Sequence, residues 1–371
     1  MEFKISNDIL QKAIIEVSRV VSSNSSSPIL SGIKIIAEAE QLIIIGGNSD
    51  ITIEKVIPMS SALKVYQTGS ALVSGKLLGE LIKKLPGNIY MKVDNNQSVI
   101  VQSGEIITKL SNMDPEEYPK PTLYLEGERL RIPSQVIMEL IRYTVFATSK
   151  AETKPVLTGV HFHFLKDYLT CIATNSQRLS LKKHIINTEL TGSYVIPRKA
   201  LVEVGRLAGN QKGVMEIFFT NNSVVFKTDS LTLYSKLIDG KYPDVSSLLS
   251  QETSTTIIVD RHLLLKGVER ASIFTNESRN NNITLQIEGK SKIKILSGSS
   301  LAGQLEETQE CKSISGLEEL TVTLDANYLM EALQVIDREE VTLSFHGSLK
   351  PILIYPIGDD SHIQLISPVR S

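Results

Sequence analysis

No apolar run in this 371-residue chain approaches the roughly 18–20 residues that a membrane-spanning helix needs. The opening Met1-Glu2-Phe3-Lys4-Ile5-Ser6 has neither the basic start nor the apolar stretch of a secretory signal. Cysteine is scarce: Cys171 and Cys311 stand far apart and outside any CxxC or Cys/His spacing. That argues against a disulfide framework or a zinc knuckle and for two buried or semi-buried thiols in a reducing cytoplasm. Charge excess is missing as well. Thirty-nine Lys+Arg against 41 Asp+Glu leave −2, so binding of nucleic acid by overall basicity is excluded.

Catalytic signatures are also lacking. No Ser/His/Asp pattern, Walker loop or dinucleotide-binding glycine fingerprint occurs. Gly46-Gly47-Asn48-Ser49-Asp50 leads into a strand, not a helix, and so cradles no phosphate. His161 and His163 lie two apart on an expected strand and could face one ion, but no third ligand accompanies them. Asp114, Glu116 and Glu117 read as an exposed acidic loop, and Asp359-Asp360 with His362 as a hairpin tip. Neither enzyme activity, metal nor cofactor is expected.

What remains is an ordinary globular composition, 42% hydrophobic and 22% charged, in a chain long enough for two or three domains. Its organisation lies in repetition. Ser27-Pro28-Ile29-Leu30-Ser31-Gly32-Ile33 returns as Lys154-Pro155-Val156-Leu157-Thr158-Gly159-Val160, and Glu117-Tyr118-Pro119 returns as Lys241-Tyr242-Pro243. Amphipathic stretches precede the two Pro-x-Leu-x-Gly segments, Ile9 to Val21 and Val136 to Phe146, and a third such stretch runs from Leu263 to Ser272. Three domains are expected, at 1–125, 126–250 and 251–371. Each divides again. Leu77, Leu78, Leu81, Ile82 and Leu85 fall at helical spacing behind the N-cap candidate Ser74. Strands Ile89 to Val93 and Ser98 to Gln102 follow, turning at Asp94-Asn95-Asn96. The same order recurs after Pro197 and again from Asn327. Six modules result, each one helix plus antiparallel strands: an α+β chain. Unrelated α+β domains are the plainer alternative.

The six expected helices, Asp8–Arg19, Ser74–Lys84, Ser134–Lys150, Arg198–Arg206, Arg261–Arg270 and Asn327–Arg338, together carry +6, leaving −8 elsewhere. A basic helical side in an acidic protein draws a polyanion to one face, and helices crossing phosphates bind backbone, not sequence.

Several segments then resemble the beta sliding clamp family of bacterial DNA polymerase III. They are Met1-x-Phe3-x-Ile5, Ser27-Pro28-Ile29-Leu30-Ser31-Gly32, Ala173-Thr174-Asn175-Ser176-Gln177-Arg178-Leu179, Asp239-Gly240-Lys241-Tyr242-Pro243-Asp244, and the ending Pro368-Val369-Arg370. The resemblance runs the whole length. It implies three clamp domains forming half of a closed ring, a head-to-tail homodimer around duplex DNA, which the ring holds topologically without sequence preference. It also implies a DNA polymerase processivity role, with polymerase, clamp loader and repair proteins as partners, and no membrane. DNA-facing side chains would be Lys12, Arg19, Asn24, Lys76, Lys83, Lys84, Lys150, Arg198, Lys199, Arg206 and Lys266.

The family's partner site is an apolar pocket for a short Gln-containing hydrophobic peptide. Carried over by motif, its lining here is Leu157, Thr174, Ser176, Arg178, Leu179, Pro243 and Leu248, completed by Tyr328, Leu365, Ile366, Ser367, Pro368, Val369 and Arg370. The strand Glu105 to Leu110, with Glu105 and Ile107 on one face, would meet Ile273 and Phe274 of a second copy. Departures are visible. Ser176 stands where the family usually has Gly, Gln177 replaces a common His, and Ser367 replaces a large aliphatic. Glu105 stands where Phe is frequent and Phe274 where Leu is, as if the large residue had crossed the interface. A divergent second-copy clamp with altered partner choice fits these changes; a non-ring repeat scaffold for protein binding is the other alternative.

Overall fold

The computed structural model describes residues 1–22, 27–94, 98–119, 127–208, 213–250, 252–275, 281–299 and 303–369. The expected turn at Asn95-Asn96, Asn24 and Arg370 lie outside them. Seven helices occur among the described residues: α1 Asn7–Ser18, α2 Gly75–Ile82, α3 Ser134–Thr144, α4 Arg198–Ala208, α5 Ser246–Leu249, α6 Arg261–Thr275 and α7 Ala326–Val335. Six of them directly follow a strand, as the module pattern requires. The hydroxyl of Ser74 accepts from Leu77 N at 3.5 Å, and the carboxylate of Asp325 accepts from Asn327 N and Tyr328 N, so both begin their helices by satisfying otherwise unpaired amides. α1 buries Leu10, Ala13, Ile14 and Val17, and α7 buries Ala326, Leu329, Ala332 and Leu333. The opposite face of α1 carries the exposed Ile9, Lys12, Ile15 and, at the C-cap, Arg19, while on α7 only Gln334 is exposed.

The chain packs as two compact units, Met1–Ile137 with Lys199–Leu237, and Met138–Arg198 with Ile238–Ser371. The first holds a five-stranded sheet ordered Leu63–Gln67, Glu2–Ser6, Asn88–Val93, Ser98–Ser103, Ile106–Ser111, and an eight-stranded sheet. In the larger sheet, Leu231–Lys236 pairs antiparallel with Ile51–Pro58, setting Leu231 opposite Lys55. The second unit holds a nine-stranded sheet, in which Arg178–Ile185 pairs with His362–Ile366 and Lys182 faces His362. Its four-stranded sheet is ordered Gly303–Glu310, Lys292–Ser299, Asn282–Glu288, Glu319–Asp325. Each large sheet joins strands from successive repeats, so backbone hydrogen bonds close edges that a lone repeat would expose.

Repetition extends into side-chain detail. The Tyr242 hydroxyl accepts from Thr174 N at 3.1 Å, and the Tyr118 hydroxyl is buried against the Gly47 backbone at the equivalent place one repeat earlier. Likewise Ile238 N donates to Val195 O and Met113 N to Leu72 O. Cys171 and Cys311 are free, buried thiols.

Some local expectations shift. α3 stops at Thr144, not Lys150; the Thr144 hydroxyl donates to Leu140 O at 2.6 Å and the chain tightens into a 3-10 turn over Val145–Ala147. α7 stops at Val335 because Ile336 is extended, leaving Asp337 and Arg338 beyond it. Glu105 lies in the hairpin turn beside Gly104 (φ 56°), so it does not share a strand face with Ile107. His362 is not at a hairpin tip. It opens a strand and is 1% exposed, its ring 4.2 Å from that of Tyr143.

Candidate functional site

A cavity of about 570 Å³ opens beside the turn Asn175–Gln177 in the second unit. Its walls come from the 3-10 turn Pro155–Thr158, the ends of the strands Tyr168–Thr174 and Arg178–Ile185, the loop leading into α5, and the strand end Leu365–Ser367. Leu157, Leu179 and Leu365 are almost fully buried around it and belong to one apolar cluster with Ile172, Leu181 and Val195. The structure therefore brings together Leu157, Thr174, Ser176, Arg178, Leu179, Pro243, Leu248, Leu365 and Ser367 from the residues expected by motif. Tyr328 stands at the rim, its hydroxyl accepting from Asn175 Nδ2 at 3.1 Å and donating to Gln177 Oε1 at 2.8 Å. Ile366 turns the other way: the two-residue period of its strand sends it into the neighbouring core, 1% exposed. Pro368 and Val369 do not line the cavity, and Val369 N donates to Thr323 O.

The turn that forms the wall is tied on every side. Asn175 Oδ1 accepts from Gln177 N and Arg178 N, Ser176 N donates to Thr174 Oγ1, and Thr174 Oγ1 donates to Arg178 O. This network holds Ser176 at φ 77°, the single positive φ of a non-glycine residue among the described residues. A side chain in that region costs about 1–2 kcal/mol, and the added freedom of glycine in the unfolded chain returns part of it. Ser176→Gly is expected to raise unfolding stability by about 0.5–1 kcal/mol; a drop in the denaturation midpoint would show that the turn is not strained.

Arg178 contributes backbone and stem to the wall but not its charge. The guanidinium is buried, ion-paired with Glu331 of α7, donating to Phe146 O at 2.5 Å and stacked over the Phe146 and Tyr328 rings. Motif reasoning missed Val156, Val245, Pro351, Gln177, Lys154, Lys241 and Asp244. Ser246 N and Oγ both donate to Asp244 just ahead of α5, whose start carries Val245 to the cavity. Nothing in the sequence brought Pro351 there.

His161 stacks on Tyr242 at 4.8 Å and on His163 at 5.7 Å, and burial beside His163 pushes its pKa down to about 4. Among the described residues, no group of three or more His, Cys, Asp or Glu could hold a metal ion.

Lys12, Lys76 and Lys199 on the helices, and Arg19, Lys83, Lys84 and Lys150 beyond helix ends, are exposed, and among the described residues none makes an ion pair. Arg206 pairs with Glu203 and Lys266 with Glu269, while Arg198 is half-buried. At one sheet edge Ile106 and Ile107 are 46% and 62% exposed; on α6 Ile273 is 64% exposed and Phe274 half-buried.

Comparison with known proteins decides the family. The N-terminal, central and C-terminal domains of the DNA polymerase III beta subunit match residues 1–123, 131–244 and 246–370. A beta sliding clamp of Bacillus subtilis is 36% identical over 378 residues, covering all of both chains. This chain belongs to the DNA polymerase III beta subunit family. The crystal structure of the Bacillus subtilis DNA polymerase sliding clamp superposes with a TM-score of 0.96 at 35% identity, over 100% of this chain and 99% of that one. The beta subunit from Streptococcus pyogenes gives 0.94 at 29% identity, over all of both. The fold is thus three clamp domains of α+β type with antiparallel sheets.

Proposed function

We propose that this chain is a DNA polymerase processivity clamp: two copies close head to tail into a ring around duplex DNA, and the apolar cavity tethers polymerase, clamp loader and repair proteins by a short peptide segment. The carrying observation is a pair of unmatched edges. The strands Ile106–Ser111, Leu231–Lys236 and His362–Ile366 are equivalent, each the last of its meander. Ile51–Pro58, Arg178–Ile185 and Gly303–Glu310 are equivalent in the same way. Within the chain, Leu231–Lys236 takes Ile51–Pro58 and His362–Ile366 takes Arg178–Ile185. One strand of each kind is left at a sheet edge, Ile106–Ser111 in the first unit and Gly303–Glu310 in the second. Exposed edges with apolar side chains are aggregation templates unless covered, and the matching partner is the other free edge on a second copy.

The internal pairs also supply the register. Lys55 faces Leu231 and Lys182 faces His362. Carried to the equivalent positions, Ile106 falls opposite Glu307 and Ile107 opposite Glu306 of the second copy, with Ile273 and Phe274 close by on α6. Glu307 is held from behind by Arg270 at 2.6 Å, as Lys55 is held by Glu16 at 3.1 Å with the charges exchanged. The test is oxidative cross-linking of an Ile107→Cys, Glu306→Cys chain. It should give a covalent dimer, while an out-of-register Ile107→Cys, Glu310→Cys chain should not. Equal yields from both would discard the register.

The unpaired ammonium groups on the helices and beyond their ends are suited to phosphate contacts. Long flexible lysines over a duplex backbone bind weakly and without sequence preference, and the contact weakens as salt rises. A ring needs no more than that, because closure retains the DNA.

A further inference from the structure

We infer that the cavity beside Asn175–Gln177 takes an apolar segment flanked by acidic residues, with Lys154 and Lys241 recognising that charge. The inference rests on the cavity being the partner-peptide site, and adds the chemistry of the partner. The floor is aliphatic, so it anchors hydrophobic side chains and carries no charge preference of its own. Most polar groups around it are already committed. The Arg178 guanidinium is spent on Glu331 and Phe146 O, and Thr174 Oγ1 on the Arg178 carbonyl. The Asp244 carboxylate accepts from Ser246 N at 2.9 Å and Oγ at 2.7 Å, which holds its pKa below the usual range and turns it toward the start of α5.

Two charges remain at the mouth. Lys154 precedes the 3-10 turn on one wall and Lys241 sits in the loop of another; both line the cavity and both are exposed. Lys241 is near enough to favour ionised Asp244, yet among the described residues neither lysine forms an ion pair with a carboxylate. They stand on a protein whose charge outside its seven helices is −4. Two uncommitted ammonium groups at the rim of an apolar hole, on an otherwise acidic exterior, complement a hydrophobic peptide with carboxylates beside its anchors. They disfavour one flanked by lysines.

Fluorescence anisotropy with the full chain tests this. Labelled peptides share one Gln-, Leu- and Phe-bearing core and differ only in an Asp-Asp, Asn-Asn or Lys-Lys flank. At low salt the Asp-Asp peptide should bind about 5–10-fold tighter than the Asn-Asn peptide, since rim pairs are solvated and individually weak. The gap should shrink several-fold at high salt and reverse in the Lys154→Glu, Lys241→Glu chain. Equal affinity of the Asp-Asp and Asn-Asn peptides, with both binding, would overturn the charge assignment and leave the peptide site standing. Failure of all three to bind, or binding unaffected by Leu248→Asp in the cavity wall, would overturn the peptide site itself.

Discussion

Ile107→Asp is expected to turn a dimer, twice the 41.0 kDa chain mass, into a monomer at micromolar concentration without lowering the unfolding stability of the chain. Ile107 is 62% exposed on its edge strand, so a carboxylate there meets water within the single chain and costs little. Across the proposed junction it would be buried opposite Glu306, whose nearest cation, Lys294, is already shared with Glu288. An unpaired buried charge of that kind costs on the order of 3–5 kcal/mol, more than a hundredfold in dissociation constant. Ile107→Lys places the opposite sign against Glu306 and should weaken the dimer far less. Light scattering of the two variants separates the outcomes, and equal masses for both would remove Ile107 from the junction.

Acidification should destabilise the second unit through His362. Burial, reinforced by the positive charges of Lys182 and Arg142 and only partly offset by Asp359 and Asp337, drives its pKa down to about 3. Gln364 Nε2 donates to His362 Nε2 at 2.5 Å and to Ser180 Oγ at 2.8 Å, and Ser180 in turn donates to Tyr143 O. Arg142 and Tyr143 both bind Asp337, and Lys182 bridges Glu139 and Asp359. The folded pKa lies below the unfolded value of about 6.5, so the unfolded chain takes up the proton first. The stabilisation is complete above pH 6.5 and is lost as pH falls toward 3. Between pH 7 and pH 5 the loss from His362 is about 2 kcal/mol. Urea unfolding at pH 7, 6 and 5 should show that slope in the native chain and a shallower one in His362→Gln. Parallel slopes would mean that His362 is not the titrating group.

How much of this was legible in sequence depended on whether a signal was local or periodic. The helices from Ser74 and Asn327 announced themselves by apolar spacing, the first also by its cap, and strands Asn88–Val93 and Ser98–Ser103 fell within one residue of their expected ranges. Helix ends were harder. Thr144 and Ile336 stop their helices by a side-chain hydrogen bond and an extended backbone that no pattern marks. In the cavity, Leu157, Thr174, Leu179 and Leu365 came from motif resemblance, but the direction of Arg178 did not. Its burial depends on Glu331 and Phe146, which are distant in sequence. Ile366 came with Leu365 by the same motif, although strand alternation separates neighbours onto opposite faces. His362 looked like a loop residue beside Asp359-Asp360, and only its packing under Tyr143 makes it a buried base.

Retention on circular DNA bears most directly on whether two chains close around a duplex. After incubation with a clamp loader and ATP, labelled protein should co-elute with a nicked circular plasmid through a sizing column in high salt, and should be released when a restriction enzyme cuts that circle. Protein that stays bound after linearisation, or that never survives high salt on the closed circle, would show binding by surface contact and not by encirclement.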